Sequence, residues 1–189
     1  MAGAILGVAG FGYLGRGDGE RMKLRIIITG GTFDKHYDEI RGTLGFKDTH
    51  LPEILTAVRC TLPVELEINQ LIDSLEMRSS NRERILASCR AAAEEHIVIT
   101  HGTDTMVETA RVLGEAGLKK TIVLTGAMVP YAVNGSDAMF NLGCSIAAVQ
   151  VLDHGVYIAM NGRVFDWDNV VKIREKGIFE ERQSTHNGD

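Results

Sequence analysis

From residue 24 onward, short β-branched runs alternate with stretches whose apolar positions recur at helical spacing. Leu24-Arg-Ile-Ile-Ile-Thr29 runs into Gly30-Gly31-Thr32. This predicts a first strand that delivers the chain to a glycine turn able to approach a ligand closely, with Thr32 exposed at the strand end. Residues 51–60 predict a helix with Pro52 in its first turn and Ile54, Leu55 and Val58 on one face, and residues 64–69 alternate as a strand. A capping box, Ser80-x-x-Glu83, opens a helix carrying Ile85, Cys89 and Ala92 inward, and that helix feeds a strand at 97–100. The unit repeats through a helix over 106–114, a strand over 121–124, a helix over 138–152 and a strand over 155–160. Asn161-Gly162 is then a type I′ turn signal leading into a partner strand over 163–165. The alternation predicts an α/β fold: an open, mostly parallel, doubly wound sheet with helices on both faces and a closing hairpin near the C-terminus.

The remaining stretches carry less pattern. Residues 33–48 are rich in charge, glycine and aromatics without either period, which predicts a mobile loop near the first strand end that could act as a lid. The helix over 138–152 is apolar on nearly every face and must be covered on both sides. At about 15 residues it falls short of the roughly 20 needed to span a bilayer. A homodimer is therefore expected, the alternative being a helix wholly internal to one chain. The charged run beyond Lys176 is expected to fray. Gly10-Phe-Gly12-Tyr-Leu-Gly15 has the spacing of a dinucleotide fingerprint but lacks the strand before it and the helix after it. No positive charge precedes the apolar start and no Ala-x-Ala follows, so a secretory signal is also a poor fit. The expected organisation is a loose leader over 1–21, with Met22 as an alternative start, one domain over 22–180 and a frayed tail over 181–189.

A chain of 189 residues is enough for one sizeable core. A net charge of −5, with basic residues scattered rather than clustered, argues against a nucleic-acid partner, and a mean hydropathy of zero argues against a membrane chain. Cys60, Cys89 and Cys144 are odd in number and widely spaced, as reduced core thiols are, which points to a reducing, cytoplasmic compartment. The six histidines make no ligand-spaced pair, so neither a metal nor any other cofactor is expected.

The chemistry-bearing candidate is Ile97-Val-Ile-Thr-His-Gly-Thr-Asp-Thr-Met106, where a buried-strand run breaks into hydroxyls before the next helix. In an open parallel sheet this is where ligands bind, at the carboxyl end of a strand. Thr105-x-x-Glu108 reads as a capping box and needs no catalytic role. Gly102, Thr103 and Asp104 are left without a structural task, because a helix needs one N-cap rather than three polar residues behind a glycine.

With these strand-end turns in place, the chain resembles the bacterial-type L-asparaginase and glutaminase family over residues 24–180. The signature segments stand as Thr29-Gly-Gly-Thr32 and His101-Gly-Thr-Asp-Thr-Met106, and the resemblance continues through Thr125-Gly-Ala-Met128 and Phe140-Asn-Leu142. It implies hydrolysis of the side-chain amide of L-asparagine to L-aspartate and ammonia, with Thr32 as nucleophile and a Thr103–Asp104–Lys172 set for proton transfer. A lone threonine hydroxyl needs such help, since it has no useful nucleophilicity near neutral pH. An amine can move a proton where a guanidinium cannot. The family's mobile-loop tyrosine falls to Tyr37, the only tyrosine on that loop, although the family usually carries it farther along. Ser74 lies where the family holds the substrate α-carboxylate. Its neighbour Leu75 stands where glutamine is often found. Gly31, Gly102 and Ala127 complete the implied substrate contacts.

The resemblance is to the N-terminal domain of the two-domain members, so the expectation is a short, single-domain form. Recognition of the α-amine, which a neighbouring subunit's C-terminal domain assists in those members, must then come from other residues. Two competing readings are a non-catalytic domain that binds an acidic amino acid or serves as a subunit, and a related amidohydrolase that supplies ammonia to a partner. Retention of Thr32, Thr103, Asp104 and Lys172 together favours catalysis.

Overall fold

A computed structural model describes residues 22–182, so the expected leader and most of the expected tail, with the Gly10–Gly15 fingerprint, lie outside the described residues. Six strands form the main sheet: β1 (Leu24–Gly30), β4 (Val64–Ile72), β5 (His96–Thr100), β6 (Thr121–Thr125), β7 (Gly155–Met160) and β8 (Arg163–Asp166). Their order is β4-β1-β5-β6-β7-β8. All neighbours are parallel except β7 and β8, which pair antiparallel across the Asn161-Gly162 turn. Both turn residues have positive φ, 56° and 75°, as a type I′ turn requires.

Successive side chains on a strand point to opposite faces, and the two apolar clusters divide accordingly. Ile27, Ile97, Ile99, Ile122, Leu124 and Ile158 pack under α2 (Ser79–Ala91) and α3 (Met106–Glu115). Leu24, Ile26, Ile28, Val98, Val123 and Ala159 pack under α1 (Leu51–Ala57) and α4 (Ala138–Val149). The sheet is thus doubly wound, with helices on both faces. From β1 the chain leaves towards β4 and from β5 towards β6, so the connections diverge and open a crevice between the carboxyl ends of β1 and β5.

Four expectations need correction. Residues 33–48 are not an unstructured loop: after a 3-10 turn, Thr32–Asp34, they form a hairpin of β2 (Lys35–Asp38) and β3 (Thr43–Phe46). Asp38 Oδ1 accepts the Ile40 and Arg41 N–H groups and closes its tip. The chain beyond Lys176 does not fray at once, because β10 (Ile178–Glu180) pairs antiparallel with β9 (Val171–Ile173) and buries Phe179. Neither capping box forms. Helix α2 starts at Ser79, where the Arg78 N–H donates to Asn81 Oδ1, and Thr105 Oγ1 donates to the Ser74 carbonyl while Glu108 pairs with Arg82. Lastly, α4 is covered on one side only: Ala138, Leu142 and Val149 face the sheet, whereas Met139 and Phe140 are exposed, so the helix is not wholly internal to this chain.

Candidate active site

Glycines at the crevice set how closely its walls approach. Gly30 and Gly31 take φ of 89° and 76°, and a Cβ on Gly31 would collide with the Gly102 amide nitrogen and Cα. A Cβ on Gly102 would in turn lie 2.6 Å from Ser74 Cβ and Oγ. The turn after β1 therefore stacks backbone on backbone against the turn after β5, and the latter packs its backbone on the Ser74 side chain of the 3-10 turn Ser74–Glu76, approaches that only glycine permits. Thr32, half-buried, follows Gly31 directly, and Thr103 follows Gly102. A third wall is Gly126, whose Cβ would lie 3.3 Å from Thr103 Cγ2.

Lys172 arrives from β9, far along the chain. Its Nζ donates to Thr103 Oγ1 and to Asp104 Oδ1, each at 2.8 Å, and its side chain is only 8 % exposed. Asp104 lies at the rim, with Arg174 Nε 3.9 Å away. Because Thr103 Oγ1 accepts from the ammonium, its own O–H is free to donate elsewhere, which makes it a positioned proton source. The sequence motif identified Thr103 and Asp104; spacing could not identify Lys172.

The other expected residues fall into three groups. Gly31, Gly102 and Ser74 line the stacked turns, and Ser74 is buried with its carbonyl held by Thr105. Ala127 is fully buried among Val123, Ala138 and Leu142, so only its backbone can face the crevice. Tyr37 and Leu75 are both largely exposed; Tyr37 sits in β2 opposite Leu44, and no hydrogen bond joins it to the Lys172 group. Among the described residues, no group of three or more His, Cys, Asp or Glu side chains is placed to hold a metal ion.

Sequence reasoning passed over several residues that hold the site. His101 is fully buried, with Nδ1 on the Gly102 carbonyl and Nε2 on Thr109 Oγ1, and burial pushes its pKa down to about 4, so it is neutral. Lys35 pairs with Asp73 at 2.7 Å and ties the base of the hairpin to the Ser74 turn. Asp137 accepts the Met128 and Val129 N–H groups and fixes the turn after β6. Two residues after Thr32, the buried Asp34 accepts Thr49 Oγ1 at 2.8 Å, and burial raises its carboxyl to about 6.

The folded state therefore binds a proton at Asp34 over a range, from the model-peptide value of 3.8 up to about 6, where the unfolded chain has released it. Its contribution to stability is fully present below the lower value and is lost as pH rises through the upper one. Urea denaturation should show Asp34→Asn gaining on the parent by roughly 2 kcal/mol between pH 4 and 7. Parallel pH profiles for the two proteins would remove Asp34 as the titrating group.

The comparisons with known proteins agree on one family. Residues 23–181 match the family model described as asparaginase, N-terminal. The chain is 28 % identical over 163 residues to the L-asparaginase of Thermococcus kodakarensis, covering 83 % of this chain and 49 % of that protein. To L-asparaginase 1 of Escherichia coli (strain K12) it is 26 % identical over 169 residues, covering 84 % and 50 %. Among solved structures, the thermostable L-asparaginase of Thermococcus kodakarensis superposes with a TM-score of 0.75 at 27 % identity, over 85 % of this chain and 51 % of that one. A probable cytoplasmic L-asparaginase of Campylobacter jejuni gives 0.72 at 29 %, over 85 % and 53 %. The chain thus spans about half the length of the relatives it matches.

Proposed function

The chain belongs to the asparaginase family, and from that premise we propose that it hydrolyses the side-chain amide of L-asparagine to L-aspartate and ammonia through an acyl-enzyme on Thr32. In the first half-reaction Thr32 Oγ forms a bond to the amide carbon. The Thr32 hydroxyl proton passes to the Thr103 oxygen as the Thr103 proton passes to the amide nitrogen, Lys172 and Asp104 holding that hydroxyl in place, and the carbon–nitrogen bond breaks to release ammonia. Water then adds to the ester, aspartate leaves, and Thr32 regains its proton. The observation that carries this reading is the Lys172 Nζ seated 2.8 Å from both Thr103 Oγ1 and Asp104 Oδ1, beside the glycine turn that presents Thr32. Ammonia release from asparagine by the purified chain tests it, and no release above background overturns it.

The substrate fit follows from the walls. The buried Ser74, stacked on Gly102, is the residue we assign to the α-carboxylate. Leu75, exposed and apolar beside it, offers that carboxylate no hydrogen bond from its side chain. Tyr37 reaches the site, in this reading, by closure of the hairpin that carries it.

The steps as proposed call on neither a metal nor a nucleotide. Removing residues 1–21 and adding a chelator should each leave ammonia release unchanged. Loss of activity in a truncated chain that still folds, or in the presence of chelator, counts against it.

The exposed face of α4 supports assembly as a homodimer. Phe140 is 61 % and Met139 45 % exposed on a helix whose other face is in the core. Sedimentation at micromolar concentration should give a dimer, and a stable monomer with full activity sinks the idea. A cytoplasmic location is supported by three free thiols and by the naming of the Campylobacter jejuni relative. Among the described residues no helix is long and apolar enough to cross a membrane. Recovery from a periplasmic or secreted fraction overturns the location.

A further inference from the structure

We propose that Asn161 and Asn141 form a positioning relay that sets the Lys172 ammonium against Thr103. The proposal rests on the amidohydrolase reading above. Asn141, 1 % exposed, donates from Nδ2 to the Gly126 carbonyl at 3.0 Å and to Asp137 Oδ2 at 2.8 Å, while its Oδ1 accepts the Asn161 N–H at 3.2 Å. A flipped carboxamide would set a donor against the Asn161 N–H and an acceptor against two acceptor oxygens, so only this orientation satisfies all three partners. Asn161 Oδ1 then accepts the Phe179 N–H at 2.9 Å. Phe179 is the cross-strand partner of Lys172 in the β9–β10 ladder.

The two ends of this relay meet at the candidate chemistry. Gly126, held by Asn141, packs against Thr103 and the His101 carbonyl, and Phe179, held by Asn161, faces Lys172. The circuit closes through the Lys172 Nζ–Thr103 Oγ1 hydrogen bond. Strands β9 and β10 form a two-stranded sheet of their own, so their place relative to the six-stranded sheet depends on side-chain bonds of this kind and on the buried Phe179 ring. Asparagine at 161 satisfies the positive φ of the turn, but glycine would satisfy it equally. What glycine lacks is the acceptor for Phe179.

That difference supplies the test. In the full chain, Asn161→Gly keeps the turn and removes the acceptor, whereas Asn161→Asp keeps an acceptor oxygen. Asn161→Gly should lower kcat about tenfold or more, the scale on which a misplacement of about 1 Å acts. KM should stay within about twofold, because the lost interaction is one that acts in the transition state. Asn161→Asp should recover most of the loss, and Asn161→Gly should add nothing in a Lys172→Met background. Amide exchange at Phe179 should quicken in Asn161→Gly. Wild-type kcat in Asn161→Gly, a loss that persists undiminished in the Lys172→Met background, or no rescue by aspartate overturns the relay. If the parent chain releases no ammonia, the amidohydrolase reading fails, and unchanged exchange at Phe179 in Asn161→Gly then overturns the relay separately.

Discussion

Replacing Thr32 by alanine is expected to reduce ammonia release from asparagine by about three orders of magnitude or more, the scale on which loss of a nucleophile acts. The fold should be untouched. Thr32 is half-buried, opens a three-residue 3-10 turn and belongs to neither apolar cluster, while the close approach of its turn to Gly102 is made by Gly31. Alanine keeps the Cβ and the turn and removes only the hydroxyl. Far-UV circular dichroism and the melting temperature should match the parent, and near-normal ammonia release at a normal signal would exclude Thr32 as nucleophile. Thr32→Ser, which restores a hydroxyl, should return measurable turnover.

The second large effect concerns the proton-handling pair. Lys172→Met and Thr103→Val are each expected to lower turnover by a factor of about a hundred or more, as loss of positioned proton transfer does. Their losses should not multiply. Lys172 Nζ bonds Thr103 Oγ1 directly, so removing either partner already disables the other. A double variant whose loss equals the product of the two single losses would mean that they act independently. The lysine change should not unfold the protein. It leaves behind Asp104, a third exposed and with the Arg174 guanidinium nearby, rather than a sealed, unpaired carboxylate.

The central strands of this architecture were legible in the sequence because their residues face a core. Leu24–Gly30, His96–Thr100 and Thr121–Thr125 are β-branched runs because both faces of the sheet are covered, and the glycine after β1 marks a close approach that the structure makes literal. The hairpin after Thr32 was illegible because Lys35-His-Tyr-Asp38 has no apolar alternation; its pairing is backbone to backbone, with His36 on Asp48 at its base. Strand β10 was hidden because Ile178 and Phe179 sit in a charged run, and its one deeply buried ring, Phe179, is a tertiary fact. The capping box at Thr105 failed for a related reason. Thr105 and Glu108 found stronger partners across the fold, in Ser74 and Arg82, than in their own helix.

The candidate site divides in the same way. Thr103 and Asp104 stood out as polar residues behind a glycine with no capping task. Lys172, flanked by Val171 and Ile173 and followed by Arg174 and Lys176, could be found only through the family resemblance, since nothing in its neighbours signals a partner 69 residues earlier. Asn161 read as a turn former and nothing more, and its side chain's partner, the Phe179 amide, is fixed only by the folded chain.

The separateness of the β9–β10 ladder carries a consequence for how the molecule comes apart. An element without backbone bonds to the main sheet is a unit of local opening, with a free energy below that of global unfolding. As urea rises, the ammonium should depart with its hairpin while the six strands persist. Activity would then vanish at a denaturant concentration where the circular dichroism still reports a native sheet.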